Sequence, residues 1–263
     1  MELAYKRYGS GSPILILHGL LGSGRNWTSM AKRFAADGWE AITVDLRNHG
    51  ESPHSNAINY SLMANDVAEL IRLLKIECPI VIGHSMGGKV AMALSLTKLE
   101  VIKALIVVDI APKKYFHSNL SLITAMMEVD LDEISTRVEA DKILSKKINN
   151  GDMRAFLLQN LIFENGVASW RVNLASIESN MEHLMDFPYR KNEFLYAGPV
   201  LFVGGGVSEY MRSMKLDIIL DLFPIAEVKM IKNTGHWVHS EKPTLFYTIV
   251  SQFINQINKK GPL

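Results

Sequence analysis

The sequence contains only one cysteine, Cys78, in 263 residues. A single thiol excludes an internal disulfide, so stability must come from a packed core, and a chain of this length can bury an ample one. Cys78 directly precedes an apolar segment, which favours a structural thiol over a reactive one. This cysteine content agrees with a reducing compartment, and we expect a cytoplasmic protein.

The chain also lacks an excess of charge of either sign, because 28 Lys and Arg residues face 27 Asp and Glu residues. With a net charge of +1, no overall field favours nucleic acid or an anionic membrane as a partner. No apolar run approaches the length that spans a bilayer, and the first residues show no apolar core of a signal peptide. Neither a metal-ligand cluster nor a nucleotide-binding loop is visible, so we expect no metal and no cofactor.

The strongest local signal is a strand that turns sharply into a helix. Pro79 to Ile82 are typical of a short buried strand, and a helix is predicted from Lys89 onward. Between them lies Gly83-His84-Ser85-Met86-Gly87-Gly88. The Gly-x-Ser-x-Gly pattern alone arises by chance in roughly one chain in ten, but this flanking context is typical of a nucleophile elbow. We therefore expect the Ser85 hydroxyl at the carboxyl edge of a sheet, as a candidate nucleophile.

Two backbone N–H groups are candidates for an oxyanion hole. Met86 begins the predicted helix, so its N–H can face a developing negative charge. A second predicted strand, Ile14 to Leu17, ends in His18-Gly19, and the next N–H, that of Leu20, is the second candidate. An ordinary Gly-rich turn is an equally good interpretation of His18-Gly19 taken alone.

The rest of the chain alternates predicted strands and helices, which indicates a mostly parallel sheet with helices on both faces. Residues 113–190 differ, because they show short amphipathic helical patterns and no convincing buried strand. We predict that residues 1–112 and 191–263 form the α/β core and that residues 113–190 form a helical cap over the sheet edge.

Several histidines could act as the base that activates Ser85. His236 lies in the loop after the last predicted strand and is the preferred candidate. His239 and His84 are close rivals by position, although His84 more simply packs beside the elbow. His49 lies in a tight turn without a partner signal, and we interpret it as structural.

The acid that would orient His236 has two candidates. Asp109 ends the strand directly after the nucleophile unit, and sequential strands are usually neighbours, so its carboxylate should emerge at the same sheet edge as Ser85. The loop after the Pro199 strand is the commoner place for such an acid, but Ser208 stands there and Glu209 is the nearby carboxylate. Capping of a cap helix is the structural alternative for Asp109.

These motifs together resemble the α/β-hydrolase superfamily over nearly the whole chain, and more narrowly the YbfF-type esterases. The resemblance implies that the Asp-Ile-Ala-Pro segment carries the acid, Asp109, and that the substrates are short carboxylic esters and, in some members, acyl-CoA thioesters. It rests on His18-Gly19, the turn from Asp45 to Ser52, Gly83 to Gly88, Val107 to Pro112, Gly204 to Ser208 and Gly235 to His239.

The sequence thus predicts a serine carboxylesterase or thioesterase that forms an acyl-enzyme on Ser85 and acts on a small-molecule ester without a cofactor. A carbon–carbon bond hydrolase or a small-substrate peroxidase on the same triad is an alternative, whereas a dehalogenase would need Asp at position 85. A non-catalytic ligand-binding protein of this fold is the alternative from another class. Nothing in the sequence indicates an oligomeric state.

Overall fold

A computed structural model describes residues 1–116, 119–212 and 214–259. Its main feature is a sheet in which one antiparallel edge strand precedes six parallel strands. The strands are β1 (Tyr5–Tyr8), β2 (Ser12–Leu17), β3 (Trp39–Val44), β4 (Ile80–His84), β5 (Ala104–Val108), β6 (Leu161–Glu164), β7 (Val167–Trp170), β8 (Val200–Gly205) and β9 (Glu227–Ile231). The sheet order is β1-β3-β2-β4-β5-β8-β9, and β6 pairs only with β7.

The central strands are apolar throughout because helices cover both faces of the sheet. Every residue of β4 and β5 is buried, as is typical of parallel strands. The predicted mostly parallel sheet with flanking helices is confirmed. The sequence prediction missed β1, which pairs antiparallel with β3 at the sheet edge and is largely exposed, so it carries no apolar pattern.

Helices fill the two faces of the sheet and the space above its carboxyl edge. They are α1 (Thr28–Ala36), α2 (Tyr60–Leu73), α3 (Met86–Thr97), α4 (Leu120–Met127), α5 (Arg137–Leu144), α6 (Gly151–Leu158), α7 (Leu174–Ser179), α8 (Met181–Met185), α9 (Leu216–Leu220), α10 (Val238–Glu241) and α11 (Pro243–Lys259). A short 3-10 turn, Gly24–Trp27, precedes α1. On one face α1 and α11 pack, and their Phe34 and Phe246 are fully buried against Ile14 and Ile16.

For α2 the sequence pattern predicts Met63 and Val67 on one apolar face and suggests Ser61 as the N-cap, and the structure differs at the cap. Asn59 is the N-cap, and its side chain accepts a hydrogen bond from the Leu62 N–H, so the helix begins at Tyr60. An Asn two residues earlier offers the same short oxygen acceptor as Ser, and sequence alone does not distinguish them. The predicted apolar face of this helix holds, with Met63 and Val67 fully buried.

Residues 113–190, called the insertion from here on, contain α4 to α8, and their buried apolar residues continue the core on the α2–α3 face of the sheet. The expectation of short helices is met, but β6 and β7 form a hairpin that the sequence pattern did not indicate, because its strands are only partly buried. The hairpin is closed by Asn165 and Gly166, both at positive φ, as a two-residue turn requires.

A further difference concerns the segment after β8, where the sequence pattern predicts a helix from about Glu209 to Leu222. Among the described residues of this range, only α9, Leu216–Leu220, is helical. The chain between β8 and α9 begins with turns, in which the Ser208 carbonyl accepts a hydrogen bond from the Arg212 N–H at 2.9 Å. Those turns hold Ser208 and Tyr210 above the sheet edge, which is the region of the candidate site.

Candidate active site

Ser85 lies between the last residue of β4 and the first of α3, with φ 52° and ψ −117°. This conformation is rare for a residue with a side chain, and close packing of the backbone around it leaves no room for side chains at the flanking glycines. A Cβ on Gly83 would lie 2.2 Å from the Gly87 carbonyl oxygen, and one on Gly87 would lie 2.5 Å from the carbonyl oxygens of β2 and its following residue. The geometry is that of the strained turn expected from the sequence.

The neighbouring strand brings Asp109 to the same sheet edge. The Ser85 N–H donates to the Val108 carbonyl at 2.9 Å, and the Asp109 N–H donates to the Val203 carbonyl at 2.9 Å. Ladder-like bonds therefore continue past the ends of β4, β5 and β8. The expectation that the strand after the elbow lies next to it is met.

The Asp109 carboxylate is fully buried and fully hydrogen-bonded. Its Oδ2 lies 2.7 Å from His236 Nδ1 and also accepts from the Ser208 hydroxyl, while its Oδ1 accepts the Gly205 N–H at 2.6 Å. Because a carboxylate accepts, Nδ1 of His236 carries the proton and Nε2 is free to act as a base.

Of the two acid candidates, Asp109 contacts His236. Glu209 is exposed, and within the described residues no hydrogen bond or ion pair joins it to His236. Ser208 occupies the position where an acid after β8 was expected, and it supports the Asp109 carboxylate. The neighbouring strand thus brings a carboxylate to His236, because β5 and β8 are adjacent in the sheet.

The rival histidines have other contacts. His84 donates from Nε2 to the His236 carbonyl at 2.9 Å, so it holds the backbone of the loop that carries His236. His239 stacks on Trp27 with ring centroids 4.0 Å apart. Burial holds the pKa of His84 well below its usual value and lowers that of His239 to about 3, with repulsion from His236 adding to both.

The loop from His18 to Gly22 passes directly over the elbow. A Cβ on Gly19 would lie 3.3 Å from the Ser85 Cβ. Leu20 follows in this loop, and Met86 N–H belongs to the first turn of α3, where backbone donors have no intrahelical acceptor. Both candidate oxyanion donors therefore lie on segments adjacent to Ser85.

Ser85 opens onto a pocket with a volume of about 180 Å³ beneath the insertion. Its walls come from the loop after β2, from α4 and α6 of the insertion and from the loop that carries His236. The apolar part of the lining consists of Leu20, Leu21, Trp27, Leu122, Met153, Phe156, Leu157 and Trp237. A mainly apolar pocket with a few convergent polar groups is typical of a small-molecule site.

Comparison with known proteins agrees with this fold. A family described as alpha/beta hydrolase fold matches residues 12–243. The chain is 39% identical over 253 residues to the sn-1-specific diacylglycerol lipase ABHD11 of Danio rerio, covering 94% of this chain and 79% of that protein. It is 33% identical to esterase YbfF of Escherichia coli (strain K12), covering 94% of each. A solved structure of a marine microorganism esterase superposes with a TM-score of 0.92 at 37% identity, covering 96% of this chain and 99% of that one.

The chain belongs to the α/β-hydrolase family. The sequence prediction of an enzyme with this fold, similar to YbfF-type esterases, is confirmed. In this hydrolase no described helix is long and apolar enough to cross a bilayer.

Two contacts around Asp109 and His236 were not predicted from the sequence. Tyr210 of this hydrolase stacks on the His236 ring at a centroid distance of 4.2 Å and lines the pocket. Ser208 donates to Asp109, as described above. Tyr210 carries no motif, and Ser208 gave a signal only as the last residue of the Gly204 to Ser208 run that follows a strand.

Lys89, one turn after Ser85, is a third residue that was not foreseen. Its side chain is buried, and Nζ donates to the carbonyls of Met185 at 3.0 Å and Asp186 at 2.8 Å, at the end of α8. The Tyr60 and Tyr115 rings flank the ammonium group at 5.3 and 5.0 Å. Burial lowers the Lys89 pKa to about 7, and Asp186 opposes this shift. Lys89 thus joins α3 of the hydrolase to its insertion.

Proposed function

We propose that this hydrolase cleaves short to medium acyl esters, with Ser85 as nucleophile, His236 as general base and Asp109 as the acid that orients it. The observation that carries the proposal is the 2.7 Å hydrogen bond between Asp109 Oδ2 and His236 Nδ1, formed beside a strained serine in the same pocket. A buried carboxylate in this position selects the imidazole tautomer that can take the serine proton.

In the proposed reaction, the Ser85 hydroxyl attacks the ester carbonyl while His236 Nε2 takes its proton. The N–H groups of Leu20 and Met86 would bind the negatively charged oxygen of the tetrahedral intermediate. Collapse releases the alcohol, which takes the proton back from His236, and leaves an acyl group on Ser85. Water, deprotonated by His236, then attacks this ester; collapse releases the acid, and the Ser85 oxygen takes the proton back from His236.

The pocket supports a modest acyl chain. A cavity volume of about 10–15 Å³ admits one water molecule, so about 180 Å³ is ample for a chain of several carbon atoms. The insertion would act as the cap, because Met153, Phe156 and Leu157 of α6 form part of the wall. We therefore expect esters of short to medium chain length to be preferred over triglyceride emulsions.

A second candidate substrate is the sn-1 ester of a diacylglycerol. It is favoured by the 39% identity to proteins named as diacylglycerol lipases. A diacylglycerol with short chains satisfies both this relationship and the size of the pocket, so it belongs in the substrate panel.

Hydrolysis of acyl-CoA thioesters is a weaker extension. In the sequence, Arg47, Lys113 and Lys114 follow predicted strands and are candidate cations for the CoA phosphates. Arg47 is unsuitable, because it is buried and its guanidinium pairs with Asp66 at 2.6 Å. Lys113 and Lys114 are left for this role, and both are at least partly exposed. A cytoplasmic location stays a prediction from the sequence.

Labelling with a fluorophosphonate, followed by mass spectrometry, tests the proposal. We expect one adduct, on Ser85, and hydrolysis of p-nitrophenyl butyrate, with neither in Ser85→Ala. Absence of an adduct in the wild-type protein would favour a ligand-binding protein. An adduct without esterase activity would favour carbon–carbon bond cleavage. A panel of p-nitrophenyl esters, dioctanoylglycerol and acyl-CoAs then ranks the substrates, and the thioester extension is wrong if esters alone are cleaved.

A further inference from the structure

The loop from His18 to Gly22 is held by side chains at three consecutive peptide units. His18 Nδ1 donates to the Gly19 carbonyl at 2.8 Å, the Leu21 N–H donates to His49 Nε2 at 3.3 Å, and Asn160 Nδ2 donates to the Leu21 carbonyl at 2.8 Å. All three side chains are buried. Their contacts bear on the direction of the Leu20 N–H.

The first contact orients the peptide unit that contains the Leu20 N–H. In a planar trans peptide the carbonyl and the N–H point in opposite directions. The Gly19 carbonyl accepts from His18 and from the Gly22 N–H at 3.0 Å, so the Leu20 N–H is turned away from both donors. Among the described residues no acceptor is found for the Leu20 N–H, which leaves it available to a ligand.

The two other contacts hold the next residue, Leu21, in an unfavourable conformation. Its φ is 60°, which a residue with a branched side chain rarely adopts and which persists only where its surroundings impose it. His49 accepts a hydrogen bond from the Leu21 N–H, and Asn160 donates one to the Leu21 carbonyl, so both backbone polar groups of Leu21 are held. Relaxation of Leu21 would rotate the preceding peptide units and with them the Leu20 N–H.

Each of the two partners is itself anchored. His49 Nδ1 donates to the Arg47 carbonyl at 2.9 Å, so Nε2 is an acceptor. Burial lowers the His49 pKa to about 3, and the nearby His18 adds to this shift, so the ring is neutral at ordinary pH. The Asn160 amide also donates to the Leu157 carbonyl at 3.1 Å, at the end of α6.

We infer that His49 and Asn160 are positioning residues, which hold Leu21 in its strained conformation and thereby aim the Leu20 N–H at the oxyanion. Asn160 belongs to the insertion, so the insertion supports the catalytic geometry in addition to forming the pocket wall. This inference rests on the proposed function, since it needs an oxyanion at Ser85.

A matched pair of asparagines tests the inference. Asn180 also lies in the insertion, and its amide also joins a carbonyl of its own helix, Ser176 at 2.8 Å, to one of the core, Asn56 at 3.0 Å. It makes no contact with the loop over the elbow within the described chain. Asn160→Leu and Asn180→Leu each remove one such link, and both are assayed with p-nitrophenyl butyrate and by thermal unfolding.

We expect Asn160→Leu to lower kcat by about 10 to 100-fold with KM within about threefold, because loss of an oxyanion donor costs about 10² to 10³ in kcat and misplacement costs less than loss. The rate of labelling by a fluorophosphonate, whose phosphonyl oxygen occupies the same hole, should fall in parallel. Asn180→Leu should stay within about twofold of wild type in both rates, even if its melting temperature falls as far as that of Asn160→Leu.

A second pair of variants tests the role of His49. His49→Gln places an amide oxygen near the position of Nε2 and should retain most of kcat, whereas His49→Leu has no acceptor and should lose it as Asn160→Leu does. Should His49→Leu not fold, the asparagine pair decides alone. The inference is overturned if kcat of Asn160→Leu lies within about threefold of that of Asn180→Leu, or if its defect is in KM. If wild-type protein neither labels nor hydrolyses esters, the proposed function itself fails.

Discussion

Replacing Asp109 with Asn changes one atom of the candidate acid and disturbs every contact it makes. Oδ2 receives hydrogen bonds from His236 Nδ1 and from the Ser208 hydroxyl, and Oδ1 receives one from the Gly205 N–H. Asn offers a single oxygen. If that oxygen replaces Oδ2, the amide NH₂ faces the Gly205 N–H; if it replaces Oδ1, the NH₂ faces His236.

Either orientation brings two donors together at a site that has no solvent exposure. His236 can avoid the second clash only by moving its proton from Nδ1 to Nε2, the atom that must accept the Ser85 proton. The catalytic tautomer is then lost together with the negative charge that stabilises the imidazolium. Such a change costs about 10⁴ in kcat, or about 5 kcal/mol in the activation barrier.

The assay is steady-state hydrolysis of p-nitrophenyl butyrate at a pH where wild-type activity is maximal, with thermal unfolding as the check on folding. One unpaired donor destabilises the fold by about 1–3 kcal/mol, which lowers the melting temperature without unfolding the enzyme. We expect the loss to lie in kcat. Glu209→Gln is the control, because that carboxylate is exposed, and it should stay within a few-fold of wild type.

Ser208→Ala provides a graded comparison with Asp109→Asn. It removes one of the three donors to the carboxylate but keeps the charge and the bond to His236. We expect kcat to fall by less than about thirtyfold. The reasoning is refuted if folded Asp109→Asn retains more than about a tenth of the wild-type kcat. If Glu209→Gln is instead the variant that loses activity, Glu209 is the acid.

Three further predictions concern the nucleophile, the buried histidines and the pocket. Ser85→Ala should fold and lose about 10⁶ in kcat, so esterase activity within tenfold of wild type rejects this nucleophile. Burial lowers the pKa of His18 to about 4 and of His49 to about 3, below the unfolded value of 6.5, so stability is full above about pH 6.5 and falls as the unfolded state takes up protons below it. Each of these two histidines should lower the free energy of unfolding, measured with urea, by about 2 kcal/mol between pH 7 and pH 5, and His18→Gln should lessen that loss. Met153→Trp should fill the pocket and lower kcat/KM for an octanoyl ester more than tenfold while sparing an acetyl ester; equal losses for both would show that the pocket does not hold the acyl chain.

Elements whose conformation depends on residues close together in the chain were predictable from the sequence alone. The turn at Ser85 follows from glycines at fixed spacing between an apolar strand and a helix, and steric crowding at Gly83 and Gly87 confirms why no other residue fits. The buried strands β4 and β5 follow from uninterrupted apolar runs, because both of their faces are covered. The family follows from several such motifs in order along the chain.

Tertiary structure decided the features that join distant residues. Asp109, Ser208 and His236 lie far apart in the chain, and they meet because β5 and β8 are neighbours and because turns, not a long helix, follow β8. The contacts of His49 and Asn160 with Leu21 depend in the same way on tertiary packing, of the turn after β3 and of the insertion respectively. Periodicity reports which face of an element is buried, but it carries no information about which polar atoms from other elements arrive there, and those atoms determine the chemistry of the site.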